Sequence, residues 1–197
     1  LKTLVMDGRL ISAVAVDSTG EFCAHAAISL NEPNSPIGEL VSLAVHPQYR
    51  KSGLAKRIHL YLVKEARKRK MQGLFAEAVT IHPYSQRLCL DLLGKESAVM
   101  VGYIPPSTFR KISGRSDTKR QMAIVYFFVL SKKEKKKTVF APSQHAPMVK
   151  QIYSHLNLNR VFGRKTTGTI DVLCGNTAFD LKIKRILMME TPCVFSS

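Results

Sequence analysis

Short apolar runs dominate the first part of the chain and predict strands. Residues 10–17 (LISAVAVD) and 21–30 (EFCAHAAISL) flank the turn cluster DSTG, which predicts a β-hairpin. A third run, 39–45, is apolar at every position except Glu39 and Ser42. A strand that is apolar on both faces belongs inside a sheet rather than at its edge.

After the third strand the apolar spacing changes to that of a helix. Residues 53–70 predict an amphipathic helix, because the basic residues fall mostly on one side of it. Its predicted inward face holds Leu54, Ile58, Tyr61, Leu62 and Ala66. The remaining elements of this part are predicted as a strand at 74–80, a short helix at 85–93 and strands at 97–104 and 121–131.

The order of these elements predicts an α/β (α+β) fold, with a mixed, mainly antiparallel sheet flanked by helices. A composition break at 132–137 (KKEKKK) is typical of a solvated linker. Beyond it, a strand at 138–140, a helix at 145–156 with Met148 on its inward face, and strands at 168–174 and 178–188 predict a small appended unit. The predicted domains are therefore residues 1–131, a basic linker at 132–137, and an α/β unit at 138–197.

Composition removes several classes of protein. The longest uninterrupted apolar run, 123–130, is far shorter than the roughly 20 residues of a membrane helix. No secretory signal pattern opens the chain. The four cysteines form no CxxC pair, so we expect buried thiols in a cytoplasmic protein and no metal site. The chain does not begin with Met, and we expect it to be a piece of a longer polypeptide that can be fused to further domains.

The net charge of +16 is unevenly distributed. Residues 1–100 hold 13 Lys+Arg and 9 Asp+Glu, whereas residues 101–197 hold 17 and 5. A surface this basic attracts phosphates, nucleic acid or acidic proteins. Sequence-tolerant nucleic-acid grooves interleave aromatic residues with their charges, and 132–137 has none. Nucleic-acid binding therefore stays a minor alternative.

The segment 43–55 (LAVHPQYRKSGLA) is the most informative for chemistry. A buried strand ends at a Pro-containing turn, a basic loop with Gly53 follows, and a helix begins at once. The first backbone N–H groups of a helix lack intrahelical partners and face the positive end of the dipole, so they can bind an anion such as a diphosphate. The alternative is an ordinary strand-to-helix turn with solvated Arg50 and Lys51.

The motif Arg50-x-x-Gly53-x-Ala55, after a strand ending Leu43-Ala44-Val45-x-Pro47, resembles the acetyl-CoA signature of the GNAT acetyltransferase superfamily. The predicted element order from 10 to 130 matches the family's second to seventh strands, so the family's first strand and first helix are missing. The stretch 77–86 (EAVTIHPYSQ), followed by GYIP, resembles a bacterial subgroup that adjoins an anti-sigma-factor-type ATPase domain. The resemblance also raises the hypothesis that 138–197 is a degenerate second GNAT-like half.

The resemblance implies that acetyl-CoA is the acyl donor and that an amine is the acceptor. The backbone of Leu43, Ala44 and Val45 would pair with the pantetheine arm, and the N–H of Val45 would donate to the developing oxyanion. The acetyl group would lie where the strand 39–45 diverges from the strand 74–80. The diphosphate would be held by the loop and first helical turn: Arg50, Lys51, Ser52, Gly53, Leu54 and Ala55.

Three side chains are candidates for proton transfer. The resemblance makes Glu39 the first candidate base, because family members often keep a Glu on this strand, and burial would raise its pKa. Glu77, on the other diverging strand, is the second candidate. His82 titrates near neutrality and could relay a proton. The alternatives are solvent-facing carboxylates and a packing histidine beside Pro83.

One departure from the family puts catalysis in doubt. Many GNAT enzymes place a Tyr where this chain has Leu90, to protonate the leaving thiolate. Cys89, its neighbour, is interpreted as a core thiol rather than a nucleophile. Three readings follow: an acetyl-CoA-dependent N-acetyltransferase, an acyl-CoA-binding sensor module with weak catalysis, and a nucleic-acid-binding protein.

Overall fold

A computed structural model describes most of the chain, namely residues 2–106, 119–131, 137–163, 169–170 and 186–187. The chain separates into two compact units, Leu1–Glu134 and Lys135–Ser197. The predicted linker at 132–137 lies outside the described residues except for Lys137, which begins a strand.

The first unit alternates strands and helices in the predicted order. Its elements are α1 Lys2–Met6, β1 Leu10–Val16, β2 Phe22–Leu30, β3 Ile37–Val45, α2 Leu54–Lys68, β4 Gly73–Val79, α3 Tyr84–Asp91, β5 Lys95–Ile104 and β6 Gln121–Val129. A single 3₁₀ turn, Pro47–Tyr49, separates β3 from α2. Each strand and helix predicted from the hydrophobic pattern in this unit is present, with ends shifted by one or two residues.

The six described strands form one sheet in the order β1-β2-β3-β4-β6-β5. All neighbours are antiparallel except β3 and β4, which are parallel and are joined through α2. The predicted fold class, a mainly antiparallel mixed sheet flanked by helices, is confirmed. The position of β3 between β2 and β4 confirms that it lies inside the sheet.

The core lies between the sheet and α2, and it shows which helix face points inward. Ile58, Leu62 and Ala66 are buried there, as the spacing predicts. Tyr61 was wrongly assigned to the inward face, because its side chain is 54% exposed. The inward stripe instead passes through His59 and Val63, which lie four residues apart on the opposite side of Ile58 and Leu62.

His59 is a polar residue in this core. Its Nδ1 lies 2.9 Å from the carbonyl oxygen of Ala55, one helical turn earlier, which makes Nδ1 the donor. Burial lowers the pKa of His59 below its ordinary value of 6.5, and the hydrogen bond to Ala55 only partly opposes this. The imidazole is therefore held in its neutral form.

The stability of the first unit should depend on the protonation of His59. In the unfolded chain His59 binds a proton below about pH 6.5, whereas the folded protein resists protonation, so stability falls as the pH falls below that value. We expect His59→Leu to flatten this dependence, whose slope is at most about 1.4 kcal/mol per pH unit. Denaturant unfolding between pH 7 and pH 5 measures the effect, with exposed His46→Leu as the control. Equal slopes for wild type and His59→Leu would contradict the assignment.

The second unit contains a strand–helix–strand segment, with β7 at Lys137–Val139, α4 at Ala146–His155 and β8 at Arg160–Phe162. The strands β7 and β8 are parallel, and Leu156 after α4 is buried. Met148 was wrongly predicted to point inward, since its side chain is exposed. Two further short strands, Thr169–Ile170 and Ile186–Leu187, pair antiparallel, and the rest of the predicted strands 168–174 and 178–188 lies outside the described residues.

Among the residues that the structure describes, no helix combines the length and apolar character needed to cross a bilayer.

Candidate functional site

A gap opens between the two parallel strands at the centre of the sheet. Both strands lie wholly within the described residues, and their pairing runs from Ile37 opposite Gly73 to Glu39 opposite Phe75. Beyond Phe75, β4 stays paired with β6 as far as Val79, but its pairing with β3 has ended. The second half of β3 is consequently accessible on this side, and the side chain of Leu43 is 40% exposed.

The backbone at the end of β3 faces this gap. The N–H of His46 donates to the carbonyl oxygen of Cys23 on the β2 side, at 2.9 Å. Backbone groups of successive residues in a strand point in opposite directions, so the N–H and C=O of Val45 point toward the gap. The carbonyl of Val45 accepts a hydrogen bond from Nε of Arg50 at 3.4 Å. The N–H of Val45 therefore faces the gap, and its role as an oxyanion donor stays a prediction.

A β-bulge precedes this segment. His25 pairs with Ala44 and Ala27 pairs with Val41, so two steps along β2 correspond to three along β3. The extra residue leaves Ser42 in the left-handed region, with φ of 57°. The bulge separates the half of β3 that pairs with β4 from the half that borders the gap.

The loop before α2, residues 50–53, has features of an anion-binding site and is called the anion loop. Lys51 and Gly53 both have positive φ, 64° and 77°, and the hydroxyl of Ser52 donates to the carbonyl oxygen of Tyr49 at 2.6 Å. The first bond of α2 runs from the N–H of Arg57 to the carbonyl oxygen of Gly53, at 3.1 Å. The amides of Leu54, Ala55 and Lys56 therefore precede every intrahelical bond.

The residues of this loop fit the diphosphate of acetyl-CoA. A Cβ built on Gly53 meets no atom within 4 Å, so open space lies above the helix terminus. Glycine is favoured at Gly53 because its φ of 77° disfavours side chains. Three sources of positive charge meet at residues 50–56. They are the helical amides without intrahelical partners, the positive end of the helix dipole, and the cations Arg50 and Lys51.

A hydrogen bond ties this loop to the β1–β2 turn. The hydroxyl of Tyr49 donates to the carboxylate of Asp17 at 2.5 Å. The same carboxylate accepts bonds from the Thr19 hydroxyl at 2.6 Å, the Thr19 N–H at 2.8 Å and the Glu21 N–H at 3.0 Å. These donors hold the pKa of Asp17 well below its usual range, and Asp17 in turn raises the pKa of Tyr49.

We expect Tyr49→Phe to weaken acetyl-CoA binding by about 3- to 10-fold, because one charge-assisted hydrogen bond that positions the loop is lost. The fold should be retained, since the ring keeps its packing. Calorimetric titration with acetyl-CoA measures the effect, and Tyr61→Phe, at an exposed tyrosine of α2, is the control. Unchanged affinity in Tyr49→Phe would show that the loop holds its shape without Asp17.

The structure brings Glu39 and Glu77 together at the gap. Glu39 pairs with Phe75, two residues before Glu77, so the two carboxylates share one face of the sheet. Burial raises the pKa of Glu39, and repulsion from Glu77 raises it further. Burial also raises the pKa of Glu77, and a hydrogen bond from Tyr103 partly opposes the rise. Tyr103 carries no signal in the sequence, because its partner lies 26 positions away on another strand.

His82 lies after the end of β4. Burial lowers the pKa of His82, with partial compensation from a backbone hydrogen bond of the same residue. Its ring lies against that of Tyr84, with centroids 5.4 Å apart, and its carbonyl accepts a bond from Gln86 at 3.4 Å.

Helix α3 holds Cys89, considered as a nucleophile, and Leu90, which stands where many family members have a tyrosine that protonates the thiolate. Cys89 is buried in the core, and burial raises its pKa to about 12, so its thiol stays protonated at neutral pH. This supports a packing role, as predicted. Cys23 is also a buried free thiol, whereas Cys174 and Cys193 lie outside the described residues. Leu90 is 48% exposed and supplies no proton.

Comparison with known proteins finds a family model that matches part of the chain. Residues 5–94 match the family model described as acetyltransferase (GNAT) family. The match runs from α1 through the gap, the bulge and the anion loop to the end of α3. A search of curated proteins found no match.

Several solved structures share the fold. The ribosomal-protein-S18-alanine N-acetyltransferase from Escherichia coli is 21% identical, with 68% of this chain and 79% of that chain covered and a TM-score of 0.54. Mutant forms of the spermidine/spermine N-acetyltransferase SpeG from Vibrio cholerae are 11% identical, with 66% and 73% covered and a TM-score of 0.55. A GNAT superfamily phosphinothricin acetyltransferase from Sinorhizobium meliloti, in complex with AcCoA, is 18% identical, with 66% of each chain covered and a TM-score of 0.54. Residues 5–94 are therefore similar to the GNAT acetyltransferase family, and the first unit shares the fold of these solved structures.

Proposed function

We propose that this chain is an acetyl-CoA-dependent N-acetyltransferase that transfers the acetyl group directly to an amine. The observation that supports the proposal best is that the gap beside β3 leads directly into the anion loop. The accessible half of β3 leads through Val45 into a loop with two left-handed residues and then into the amino terminus of α2. This arrangement offers backbone hydrogen bonds to an extended arm and to a diphosphate within one short segment.

The donor is held mainly by backbone groups in this proposal. The exposed edge of Leu43, Ala44 and Val45 pairs with the pantetheine arm as an added strand would. The diphosphate is bound by the loop and the first turn of α2: Arg50, Lys51, Ser52, Gly53, Leu54 and Ala55. When bound, acetyl-CoA supplies the acetyl group as a thioester.

Glu39 is the proposed base. An aliphatic amine is protonated at neutral pH and cannot attack until it loses a proton. A carboxylate whose pKa is raised by burial and by Glu77 accepts that proton better than an ordinary one. The N–H of Val45, facing the gap, donates to the carbonyl oxygen as negative charge develops there.

Two further groups have proposed supporting roles. Glu77, held by Tyr103, keeps the pKa of Glu39 raised and is the second candidate base. His82 relays the proton toward solvent from the end of β4. No side chain is assigned to protonate the leaving thiolate.

The second candidate function is an acyl-CoA-binding module with little transfer activity. The observation that favours it is the exposed, apolar Leu90, which stands where many family members have the acid tyrosine. Binding of acetyl-CoA is expected in both cases, so turnover distinguishes them. We place either activity in residues 1–131 and treat 138–197 as an appended unit, with the second GNAT-like half retained as a hypothesis.

The acceptor is tested with amines taken from the structural neighbours. A peptide with an amino-terminal alanine, spermidine and phosphinothricin are each mixed with the chain and acetyl-CoA, and release of the CoA thiol is followed. We expect at least one amine to raise the release rate about 10-fold or more over amine-free hydrolysis. Binding without amine-dependent release would favour the second candidate, and absence of binding by a folded sample would contradict both.

A further inference from the structure

A chain of side-chain hydrogen bonds crosses the first three strands beneath the bulge. The Nδ1 of His25 on β2 lies 3.1 Å from the carbonyl oxygen of Ser42 on β3. A carbonyl oxygen only accepts, so the proton of the neutral ring must be on Nδ1. The Nε2 of His25 is then an acceptor, and the Ser12 hydroxyl on β1 donates to it at 2.8 Å.

This chain of bonds ends on a strained residue. Ser42 has a φ of 57°, a conformation that residues with a side chain disfavour, and it is the extra residue of the bulge. The bulge interrupts the regular ladder between β2 and β3 at this point, so the strand pairing itself specifies the conformation of Ser42 poorly. The bond from His25 supplies a restraint there that the ladder does not.

The bulge determines which backbone groups of β3 face the gap. Glu39 lies before the bulge and Val45 lies after it. One inserted residue reverses the direction of every backbone group beyond it, so without the bulge the N–H of Val45 would turn toward β2. We propose that His25, oriented by Ser12, is a positioning residue that fixes the Ser42 bulge and so directs the N–H of Val45 toward the acyl group. This inference rests on the proposed function.

The ring tautomer of His25 tests the geometry without any activity. Neutral imidazole in water prefers the proton on Nε2, whereas the bond to Ser42 requires it on Nδ1. Nitrogen-15 NMR of the wild-type chain at pH 8 should show Nδ1 protonated and Nε2 unprotonated. A ring protonated on Nε2 would overturn the proposal.

Two matched variants test the consequence for the site. His25→Asn keeps an N–H donor near the Nδ1 position, whereas His25→Phe keeps a flat ring and removes the donor. On titration with acetyl-CoA, we expect the amide resonances of Gly53 and Val45 both to shift in wild type and in His25→Asn. In His25→Phe the shift at Gly53 should persist, and that at Val45 should fall by half or more.

The outcomes separate this inference from the proposed function. Equal shifts at Val45 in wild type and His25→Phe would overturn the role of His25 while leaving acetyl-CoA binding intact. No shift at Gly53 in the wild type would instead overturn the proposed function. If His25→Phe does not fold, Ser12→Ala replaces it, because this variant frees the ring to rotate while keeping the donor. The shift at Val45 in Ser12→Ala should be smaller than in wild type, and a shift equal to that of wild type would overturn the proposal.

Discussion

Replacing Gly53 with Asp is expected to abolish acetyl-CoA binding and to leave the fold intact. Gly53 precedes the first turn of α2 with a φ of 77°, and open space lies where its side chain would project. An Asp carboxylate would occupy that space and repel the diphosphate. Asp tolerates a positive φ better than most residues that carry a side chain, so α2 should persist.

Calorimetric titration measures this effect, and we expect a loss of affinity of about 100-fold or more. Gly8→Asp is the matched control, since Gly8 has a similar φ of 68° in the turn between α1 and β1. A Cβ at Gly8 meets its nearest neighbour, Pro33, at 3.9 Å, which is an ordinary contact. Equal affinities for the two variants would show that the anion loop does not bind acetyl-CoA.

Glu39→Gln is expected to lower the rate of acetyl transfer by roughly 10²- to 10³-fold. The amide is nearly isosteric but cannot accept the proton of the amine. The affinity for acetyl-CoA should stay the same, because Glu39 lies before the bulge and away from the anion loop. Glu32→Gln, at an exposed loop residue, is the control. A rate within 3-fold of wild type would exclude Glu39 as the base.

The pH dependence gives a second measure of this assignment. Wild-type kcat/KM should rise with pH through an apparent pKa above 4.5, the ordinary value for Glu. Glu77→Gln removes the repulsion that raises the pKa of Glu39, so the rising limb should move to lower pH. A limb that stays in place would show that Glu39 and Glu77 act independently.

The negative charge on Glu39 also destabilises the folded protein. A carboxyl group whose folded pKa is raised stabilises the fold most when protonated, and this contribution is lost as the pH rises from about 4.5 through the folded value. At pH 7 Glu39→Gln should therefore melt slightly higher than wild type, by about 1 to 3 °C. The substitution would exchange activity for stability, as is common for functional carboxylates.

Local patterns predicted most of the first unit. The runs that became β1 and β2 and the helical spacing that became α2 are properties of neighbouring residues, so the sequence reveals them. The inward face of α2 was predicted less well, because Tyr61 and His59 are both amphipathic and only the packed core decides between them. The exposure of the second half of β3 depends on where its pairing with β4 ends, which no local pattern specifies.

The candidate site, like the fold, was predicted only where neighbouring residues specify it. The anion loop was found from local residues, because a strand, a glycine and a helix start follow one another directly. The meeting of Glu39 with Glu77 required the family resemblance, since only the sheet order brings the two strands together. The bonds from Tyr49 to Asp17 and from His25 to Ser42 join residues 32 and 17 positions apart, and nothing in the sequence indicated them.

A crystal structure of the chain grown with saturating acetyl-CoA tests the central claim most directly. We expect the diphosphate oxygens to lie about 3 Å from the amides of the segment 51–56, and the pantetheine arm to lie along 43–45. The thioester carbonyl should accept a hydrogen bond from the N–H of Val45. Acetyl-CoA bound at another place on the first unit, or a gap left empty at saturating concentration, would contradict the account.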